Sequence, residues 1–438
     1  MKPAAKERRG LRPGATLEVT IEKGVYRGLG LARHDGQVVF VPHTMPGETV
    51  RVRIERAGRG YANGRLVDVV TPSPQRRASP CPYVPRCGGC AHQEMDYAAQ
   101  LQLKESVLRD ALSRAGVPWD APIAITPSPE SEWRTRATLH LGSGAGGLRL
   151  GLFEEGSHRI VDIESCLQLS SGLNRAARTL LEGLRTRPHW AALVHGIELA
   201  ESGDGTQRVA SLLVQGDLGA AAPLAALGNE IAWLTGLGVA EERGGRFVLL
   251  SGDPYVETTV GGRRFRAHVR SFFQGNRHLV GPLAEHVVAS LPEGGAVLDL
   301  YSGVGLFALL AAPRASAVRG AEVSPPAVED ARFNAERAGL TNVTFDASDV
   351  TAALSSWPVT PDERVILDPP RTGAGPEVID AIGSRAPAAI VYVSCDPPTL
   401  ARDLHRLLPH GYHIESVRAF DLFPDTFHIE TVVALGRS

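Results

Sequence analysis

The 438-residue sequence has few of the features that mark membrane, secreted or disordered proteins. No apolar run approaches the roughly 18 residues that a bilayer-spanning helix needs. The first ten residues are charged and lack the apolar stretch of a secretory signal. Hydrophobic residues make up 43% and charged residues 21%, which excludes a disordered or fibrous chain. We therefore expect a soluble, cytoplasmic protein of two or three domains with no membrane association and no obligate protein partner.

Cysteine is also scarce, and its five copies are unevenly placed. Cys81, Cys87 and Cys90 are close together in the sequence, whereas Cys166 and Cys395 stand alone. Because the cytosol keeps thiols reduced, we do not expect disulfides. The clustering favours a metal site, and thiolate ligands alone leave iron–sulfur and zinc both open.

The net charge of −2 conceals a basic N-terminal segment, because residues 1–80 carry 15 Lys or Arg against 7 Asp or Glu. Such a segment on an otherwise acidic chain indicates a module that meets a polyanion. Short strands are predicted at 17–22, 37–42, 49–54 and 64–70, separated by Gly-rich or Pro-rich turns such as R-G-L-G (27–30). Four or five such strands in about 60 residues suit a small barrel of the oligonucleotide-binding type.

The middle of the chain is less informative. An apolar stripe predicts a helix over 94–115. Residues 120–265 mix strand-like pieces with an Ala/Leu-rich helical stretch at 172–185. This patterning indicates a central α+β domain.

From about residue 285 the sequence alternates between strands and helices. Strands are predicted at 296–300, 317–323, 342–346, 364–368 and 389–395. The alternation predicts an α/β domain with a doubly wound, mostly parallel sheet.

Polar and reactive residues fall where these strands end, which is where open α/β sheets bind ligands. They are Asp299, Tyr301, Glu322, Asp368 and Cys395. The segment D-L-Y-S-G-V-G (299–305) is a strand followed by a Gly-rich turn into a helix. Its glycines allow close backbone approach, and an acid at the next strand end can accept both ribose hydroxyls. This combination predicts a nucleoside-bearing cofactor.

A thiol and a carboxylate are candidates for the chemistry. Cys395 ends its strand and is followed by Asp-Pro-Pro, which argues for a positioned thiol rather than a packed one. Glu430 directly precedes an apolar strand near the C-terminus. Taken alone, its position favours the interpretation of Glu430 as an ordinary solvated strand residue.

Together, these motifs resemble the RNA 5-methyluridine methyltransferase family. The resemblance covers nearly the whole chain and rests on F-F-Q-G-N (272–276), D-L-Y-S-G-V-G, the strand end at Glu322, L-D-P-P-R (367–371), V-S-C-D-P (393–397) and F-P-D-T-F-H-I-E (423–430). It implies a Rossmann-like class I methyltransferase domain that uses S-adenosylmethionine. The N-terminal segment resembles the family's TRAM domain, an oligonucleotide-binding barrel.

The resemblance also implies roles for individual residues. The residues expected to contact S-adenosylmethionine are Gln274, Tyr301, Glu322, Asp349 and Asp368. Cys395 would be the nucleophile and Glu430 the general base. The cysteines Cys81, Cys87, Cys90 and Cys166 resemble the [4Fe–4S] site of one branch of the family, with zinc as the alternative.

We therefore expect three domains: a TRAM barrel at 1–75, a central domain at 76–265 with the cysteine cluster, and a methyltransferase domain at 266–438. Helix 94–115 is a candidate to pack on the catalytic domain. The expected function is methylation of carbon 5 of a uridine in rRNA or tRNA, with RNA as the partner. Alternatives are an RNA 5-methylcytosine methyltransferase and an RNA-binding protein with an inactive methyltransferase domain.

Overall fold

The computed structural model describes residues 11–144, 147–216, 218–241 and 245–437. The chain divides into two compact units. One contains the residues up to Asp110 together with Asp425–His428, and the other contains Ala111–Pro424 together with the residues from Ile429 onward. The domain limits at 75/76 and 265/266 stay predictions, and the first ten residues of the expected barrel lie outside the described residues. Within the described ranges, no helix is long and apolar enough to cross a membrane.

The first unit contains the predicted barrel. Five strands close on one another in the order β1–β2–β3–β5–β4. They are β1 (Thr16–Val25), β2 (Leu29–His34), β3 (Gln37–Pro42), β4 (Thr49–Ala57) and β5 (Tyr61–Thr71). Alternate residues point inward, so that Val50, Val52 and Ile54 of β4 are buried while the arginines between them are exposed. The oligonucleotide-binding type of barrel is therefore confirmed.

One predicted turn of this barrel is partly wrong. Residues 27–30 were expected to form a turn, yet only Tyr26–Gly28 turns and β2 begins at Leu29. Gly30 lies inside β2, where a Cβ atom would come within 2.1 Å of the Thr44 hydroxyl oxygen. The glycine thus permits close strand packing here and does not mark a turn.

The remainder of the first unit contains the cysteine-rich segment and most of helix α1. Helix α1 (Tyr97–Arg114) lies within the predicted 94–115, and the division between the two units falls inside it. The C-terminal segment Asp425–His428 joins this unit through Asp425, whose carboxylate accepts hydrogen bonds from Gln93 (2.8 Å) and Gln100 (3.0 Å).

The second unit begins with the predicted mixed α+β region, which is built on a seven-stranded sheet in the order β13–β12–β11–β10–β7–β8–β9. Its elements, together with the short strand β6 that joins another sheet, are β6 (Ala124–Thr126), β7 (Arg136–Gly144), β8 (Gly147–Phe153), β9 (Ile160–Asp162), α2 (Ser171–Arg185), α3 (Pro188–Ala191), β10 (Val194–Glu201), β11 (Arg208–Val214), α4 (Ala225–Glu230), β12 (Gly236–Ala240) and β13 (Phe247–Gly252). A hairpin of β14 (Tyr255–Val260) and β15 (Arg263–His268) follows.

The C-terminal part of the second unit is an eight-stranded sheet in the order β18–β17–β16–β19–β20–β22–β21–β6. Its elements are α5 (Val280–Ala289), β16 (Ala296–Leu300), α6 (Leu306–Ala311), β17 (Ala317–Glu322), α7 (Pro325–Arg337), β18 (Val343–Ala347), α8 (Val350–Ser356), β19 (Arg364–Leu367), α9 (Pro376–Arg385), β20 (Ala389–Ser394), α10 (Pro397–Leu407), β21 (Tyr412–Phe420) and β22 (Glu430–Arg437). Strands β16–β20 are parallel to one another and β22 is antiparallel to β20. The doubly wound, mostly parallel sheet is confirmed.

This sheet is buried on both faces, as its apolar strands require. Val365, Ile366, Ile390 and Val391 in the central strands are all inaccessible to solvent. Parallel strands covered by helices on both faces read as continuous apolar runs. Polar side chains are thereby left to the strand ends, and the candidate site lies there.

Candidate active site

The loop after β16 is shaped by a buried carboxylate and two glycines. Oδ2 of Asp299 accepts the N–H of Ala308 in α6 at 2.9 Å, while Oδ1 is buried without a hydrogen-bond partner. Burial raises the pKa of Asp299 to about 8, with smaller contributions from Asp368 and Glu322. Gly305 has φ of 85°, a conformation that side chains with a Cβ rarely adopt. The turn therefore places backbone N–H groups at the carboxyl end of β16, next to a buried carboxyl that has one unsatisfied oxygen.

Glu322, at the end of β17, is held in one orientation by this loop. The N–H of Gly303 donates to Oε2 of Glu322 at 3.0 Å, and the N–H of Ser324 donates to Oε1 at 2.7 Å. Each oxygen keeps a further lone pair for a ligand. A carboxylate fixed in this way can accept the two neighbouring hydroxyls of a ribose.

A cavity of about 350 Å³ opens beside Glu322. Tyr301 and Asp349 line it, together with apolar side chains including Val323 and Val378. Ser348, which also lines it, has a buried hydroxyl without a hydrogen-bond partner. Apolar walls, a carboxylate with lone pairs free for hydroxyl groups and an unsatisfied hydroxyl fit the adenosine part of S-adenosylmethionine.

Asp368 follows β19 and faces a second predicted residue. Nε2 of Gln274 donates to Oδ2 of Asp368 at 3.5 Å. Burial raises the pKa of Asp368 to about 7, and the hydrogen bond from Gln274 opposes that rise. In its ionised form this carboxylate can stabilise a positively charged ligand.

Cys395 and Glu430 are brought together by the antiparallel pairing of β20 with β22. Ser394 pairs with Thr431, so continuing the register by one residue sets Cys395 opposite Glu430. The charge of Glu430 raises the pKa of Cys395, as expected of two side chains that lie near each other. Cys395 is partly exposed and carries a free thiol, whereas Glu430 is buried. The register therefore sets a thiol and a carboxyl face to face.

Both groups have a strongly shifted pKa. Burial raises the pKa of Cys395 to about 12, Glu430 adds to that rise, and Arg371 opposes it. Burial also raises the pKa of Glu430 well above its usual range, helped by Asp368 and again opposed by Arg371. Neighbouring buried groups with strongly shifted pKa values are typical of functional sites.

Arg371 is the residue that the sequence reasoning missed. It is the last residue of the L-D-P-P-R motif and is exposed to solvent. Its positive charge lowers the pKa of both Cys395 and Glu430, which favours the ionised forms that chemistry requires. Its position directly after two rigid prolines was the available signal.

The predicted metal ligands lie in different units. Cys81, Cys87 and Cys90 belong to the first unit and Cys166 to the second. In the first unit, Nε2 of Gln93 approaches Sγ of Cys90 at 3.7 Å. Soft thiolates suit iron–sulfur or zinc chemistry. In the described part of the chain, however, no three His, Cys, Asp or Glu side chains are arranged to hold a metal ion.

The sheet order, the cavity beside Glu322 and the N-terminal barrel define a class I methyltransferase domain with an appended oligonucleotide-binding barrel. The chain belongs to the tRNA (uracil-5-)-methyltransferase family, whose sequence pattern matches residues 96–438. The TRAM domain pattern matches residues 10–67. The expected family and TRAM domain are thereby confirmed, and the chain is an RNA methyltransferase.

This chain is similar to individual relatives over nearly its full length. An RNA methyltransferase of Halalkalibacterium halodurans is 32% identical over 98% of this chain and 99% of its own length. An RNA methyltransferase of Gloeobacter violaceus is 36% identical, with 98% of each chain covered. Among solved structures, the tRNA (uracil-54, C5)-methyltransferase of Pyrococcus abyssi in complex with S-adenosyl-L-homocysteine has a TM-score of 0.73 and 26% identity, covering 94% of this chain and 99% of that one.

Proposed function

We propose that this protein transfers a methyl group from S-adenosylmethionine to carbon 5 of a uridine in RNA, with Cys395 as nucleophile and Glu430 as general base. The observation that carries the proposal is that the β20–β22 ladder ends with Ser394 paired to Thr431, which brings the next residues, Cys395 and Glu430, near enough for the charge of Glu430 to raise the pKa of Cys395. The Pyrococcus abyssi relative acts on uracil 54 of tRNA. For this chain, both tRNA and rRNA are candidate substrates.

Carbon 5 of uracil is too weak a nucleophile to accept a methyl group unaided. The Cys395 thiolate adds to carbon 6, forming a sulfur–carbon bond and moving the ring electrons into an enolate. S-adenosylmethionine, when bound, supplies an electrophilic methyl group, which carbon 5 of that enolate accepts. Glu430 then removes the proton from carbon 5, the sulfur–carbon bond breaks, and the thiolate leaves.

The electrostatics of the site support these roles. A thiolate beside buried acids is disfavoured, and the nearby Arg371 offsets part of that cost. The raised pKa of Glu430 makes its carboxylate a stronger base than an ordinary glutamate. For the bound RNA, Phe272 offers a 67%-exposed ring two residues before Gln274, on which a base can stack.

The proposed cofactor site uses the residues already described. Glu322 binds the ribose hydroxyls, and Tyr301 and Asp349 line the adenosine pocket. Gln274 and Asp368 lie toward the reacting end, because Asp368 influences the pKa of both Cys395 and Glu430. The barrel would bind the RNA backbone through exposed arginines such as Arg51 and Arg53 on β4.

RNA carrying 5-fluorouridine tests the proposed chemistry, because fluorine on carbon 5 cannot leave as a proton. With S-adenosylmethionine, the wild-type protein should form a protein–RNA adduct that survives denaturation. RNA carrying 5-fluorocytidine instead should form none. An adduct with 5-fluorocytidine alone would identify the 5-methylcytosine alternative, and no adduct with either RNA would reject covalent catalysis.

We also propose that Cys81, Cys87, Cys90 and Cys166 bind a [4Fe–4S] cluster, with zinc as the alternative. The support is the soft thiolate donor set and the clustering of three of the four cysteines in the sequence. Anaerobically purified protein should contain iron and sulfide, and Cys87→Ala should lose both. Cys395→Ala is the matched control and should retain them. Zinc without iron would identify the alternative, and absence of both metals would contradict the proposal.

A further inference from the structure

The helix that follows the nucleophile also holds the loop that carries Arg371. Helix α10 begins at Pro397, two residues after Cys395, and the side chain of Asp396 caps it by accepting the N–H of Thr399 at 3.0 Å. Residues 371–375 form the loop between Asp368-Pro-Pro and α9, and we name this segment the arginine loop. Ala374 and Gly375 of the arginine loop line the cavity beside Glu322.

Three side chains of α10 bind the backbone of the arginine loop. The Thr399 hydroxyl donates to the carbonyl of Arg371 at 3.3 Å, and Nη2 of Arg402 donates to the carbonyl of Thr372 at 3.0 Å. Oδ2 of Asp403 accepts the N–H of Ala374 at 2.9 Å. Three of the five residues of the loop are thus fixed to one face of a single helix.

Asp403 is the central member of this contact. Its carboxylate is buried, and Oδ2 also accepts the hydroxyl of Tyr392 at 2.7 Å. Tyr392 lies in β20, the strand that ends at the nucleophile. Nε of Arg402 donates to Oδ1 of Asp403 at 2.9 Å, so both carboxylate oxygens are engaged. Hydrogen bonds to a buried carboxylate are among the stronger ones in proteins.

Gly373 shows how closely the loop and the helix approach. Its φ of 77° lies in the left-handed region. A Cβ atom there would come within 2.4 Å of Nη2 of Arg402 and 2.6 Å of Oδ2 of Asp403. A larger residue would be strained by the positive φ and would displace the ends of the Arg402 and Asp403 side chains, so the contact as it stands favours glycine.

We propose that Asp403, supported by Tyr392, is a positioning residue that fixes the arginine loop against α10, and thereby sets both Arg371 and one wall of the adenosine cavity. This inference rests on the proposed function for its kinetic consequences. Its structural consequences, loop order and cofactor binding, can be measured without any turnover. Asp403 itself touches neither substrate nor cofactor in this assignment.

The test compares Asp403→Ala with Glu363→Ala in the full-length protein. Glu363 is as buried as Asp403, and its carboxylate accepts a hydrogen bond from Arg385 at 2.8 Å. It lies directly before β19, whereas the arginine loop follows that strand. Both variants lose a buried charge-assisted contact, so both should be less stable. Only Asp403→Ala removes a contact to the arginine loop.

Three readouts follow. Hydrogen exchange at Ala374 should accelerate in Asp403→Ala and not in Glu363→Ala. The dissociation constant of S-adenosylhomocysteine, measured by calorimetry, should rise about tenfold in Asp403→Ala only. The pH–rate profile of methyl transfer should move to higher pH in Asp403→Ala only. Tyr392→Phe keeps the bond from Ala374 to Asp403 and loses only the longer one from Ala374 to the Tyr392 hydroxyl (3.4 Å) and that hydroxyl's bond to Asp403, so it should give a smaller change in the same direction.

Equal behaviour of Asp403→Ala and Glu363→Ala in exchange and binding would overturn the inference. If Asp403→Ala fails to fold, Gly373→Ala provides the same test from the loop side. If the wild-type protein binds S-adenosylhomocysteine but methylates no RNA, the proposed function fails, while the exchange and binding results still decide the role of Asp403.

Discussion

Cys395 and Glu430 flank the last pair of the β20–β22 ladder, because Cys395 follows Ser394 and Glu430 precedes Thr431, and Ser394 pairs with Thr431. Cys395 follows the last residue of β20 and belongs to the V-S-C-D-P motif. Glu430 is the first residue of β22, thirty-five residues later in the chain. The reaction proposed for the protein needs both groups at one carbon–carbon bond of the base. Their juxtaposition leads to separate expectations for the two side chains.

Cys395→Ala should bind S-adenosylhomocysteine as the wild-type protein does but transfer no methyl group. The residues that line the cofactor cavity do not include Cys395, so binding is expected to survive. Calorimetry and a methyl-transfer assay on the same preparation measure the two properties. Measurable turnover by this variant would contradict the role of Cys395 as nucleophile.

Glu430→Gln should accumulate a covalent protein–RNA complex in the presence of S-adenosylmethionine. The variant can still form the sulfur–carbon bond, but it lacks the base that removes the carbon 5 proton, so the thiolate cannot leave. Denaturing electrophoresis measures the complex, and the double variant with Cys395→Ala should show none. Normal release of product by Glu430→Gln would show that another group is the base.

Arg371→Gln should reduce methyl transfer at neutral pH and move its pH dependence upward. Removing this cation lets the pKa of Cys395 and Glu430 rise further, and each unit of rise in the pKa of Cys395 lowers its thiolate fraction at neutral pH about tenfold. Since both groups act in their ionised forms, the wild-type rate itself should increase with pH through neutrality. Arg371→Lys should retain part of the activity. A profile unchanged in Arg371→Gln would exclude the electrostatic role.

Glu322→Gln should weaken cofactor binding about tenfold or more. The carboxylate accepts N–H groups from Gly303 and Ser324 on its two oxygens, and glutamine would present an NH₂ group to one of them. Calorimetry with S-adenosylhomocysteine measures the loss. Glu329→Gln, an exposed change in α7, is the control and should bind normally. Equal affinity in both variants would remove Glu322 from the cofactor site.

Asp299→Asn should make thermal stability less dependent on pH. Folding raises the pKa of Asp299 from 3.8 to about 8, so the folded protein holds this proton more tightly than the unfolded chain. The stability that this carboxyl contributes is full below pH 3.8 and is lost as pH rises toward 8. Asparagine keeps an acceptor for Ala308 without a charge, so the Tm of the variant relative to wild type should increase as pH rises from about 4 to about 8. Parallel curves would contradict the burial argument.

The parts of the fold with strong local signals were predictable from the sequence. Strands of the parallel sheet are buried on both faces and therefore have continuous apolar runs. Strands of the barrel are buried on one face and therefore alternate between apolar and polar residues. The strand-end residues Glu322 and Asp368 could be placed for the same reason. The motif order then indicated the family.

Other features depend on contacts between distant residues, which local patterns do not encode. The three-residue strand β6 adds to the edge of a sheet whose next strand, β21, begins almost three hundred residues later. The roles of Arg371 and Asp403 likewise depend on how the loop after Pro370 meets α10. Gly30 looked like a turn residue, although its small size serves packing inside β2.

The most direct test of the central claim is methyl transfer from labelled S-adenosylmethionine into unmodified tRNA and large-subunit rRNA, followed by nucleoside analysis of the product. The account predicts label in 5-methyluridine from one of the two RNAs, at a single position, with wild-type protein and none with Cys395→Ala. Label in 5-methylcytosine, or label in neither RNA with a protein that binds S-adenosylhomocysteine, would contradict it.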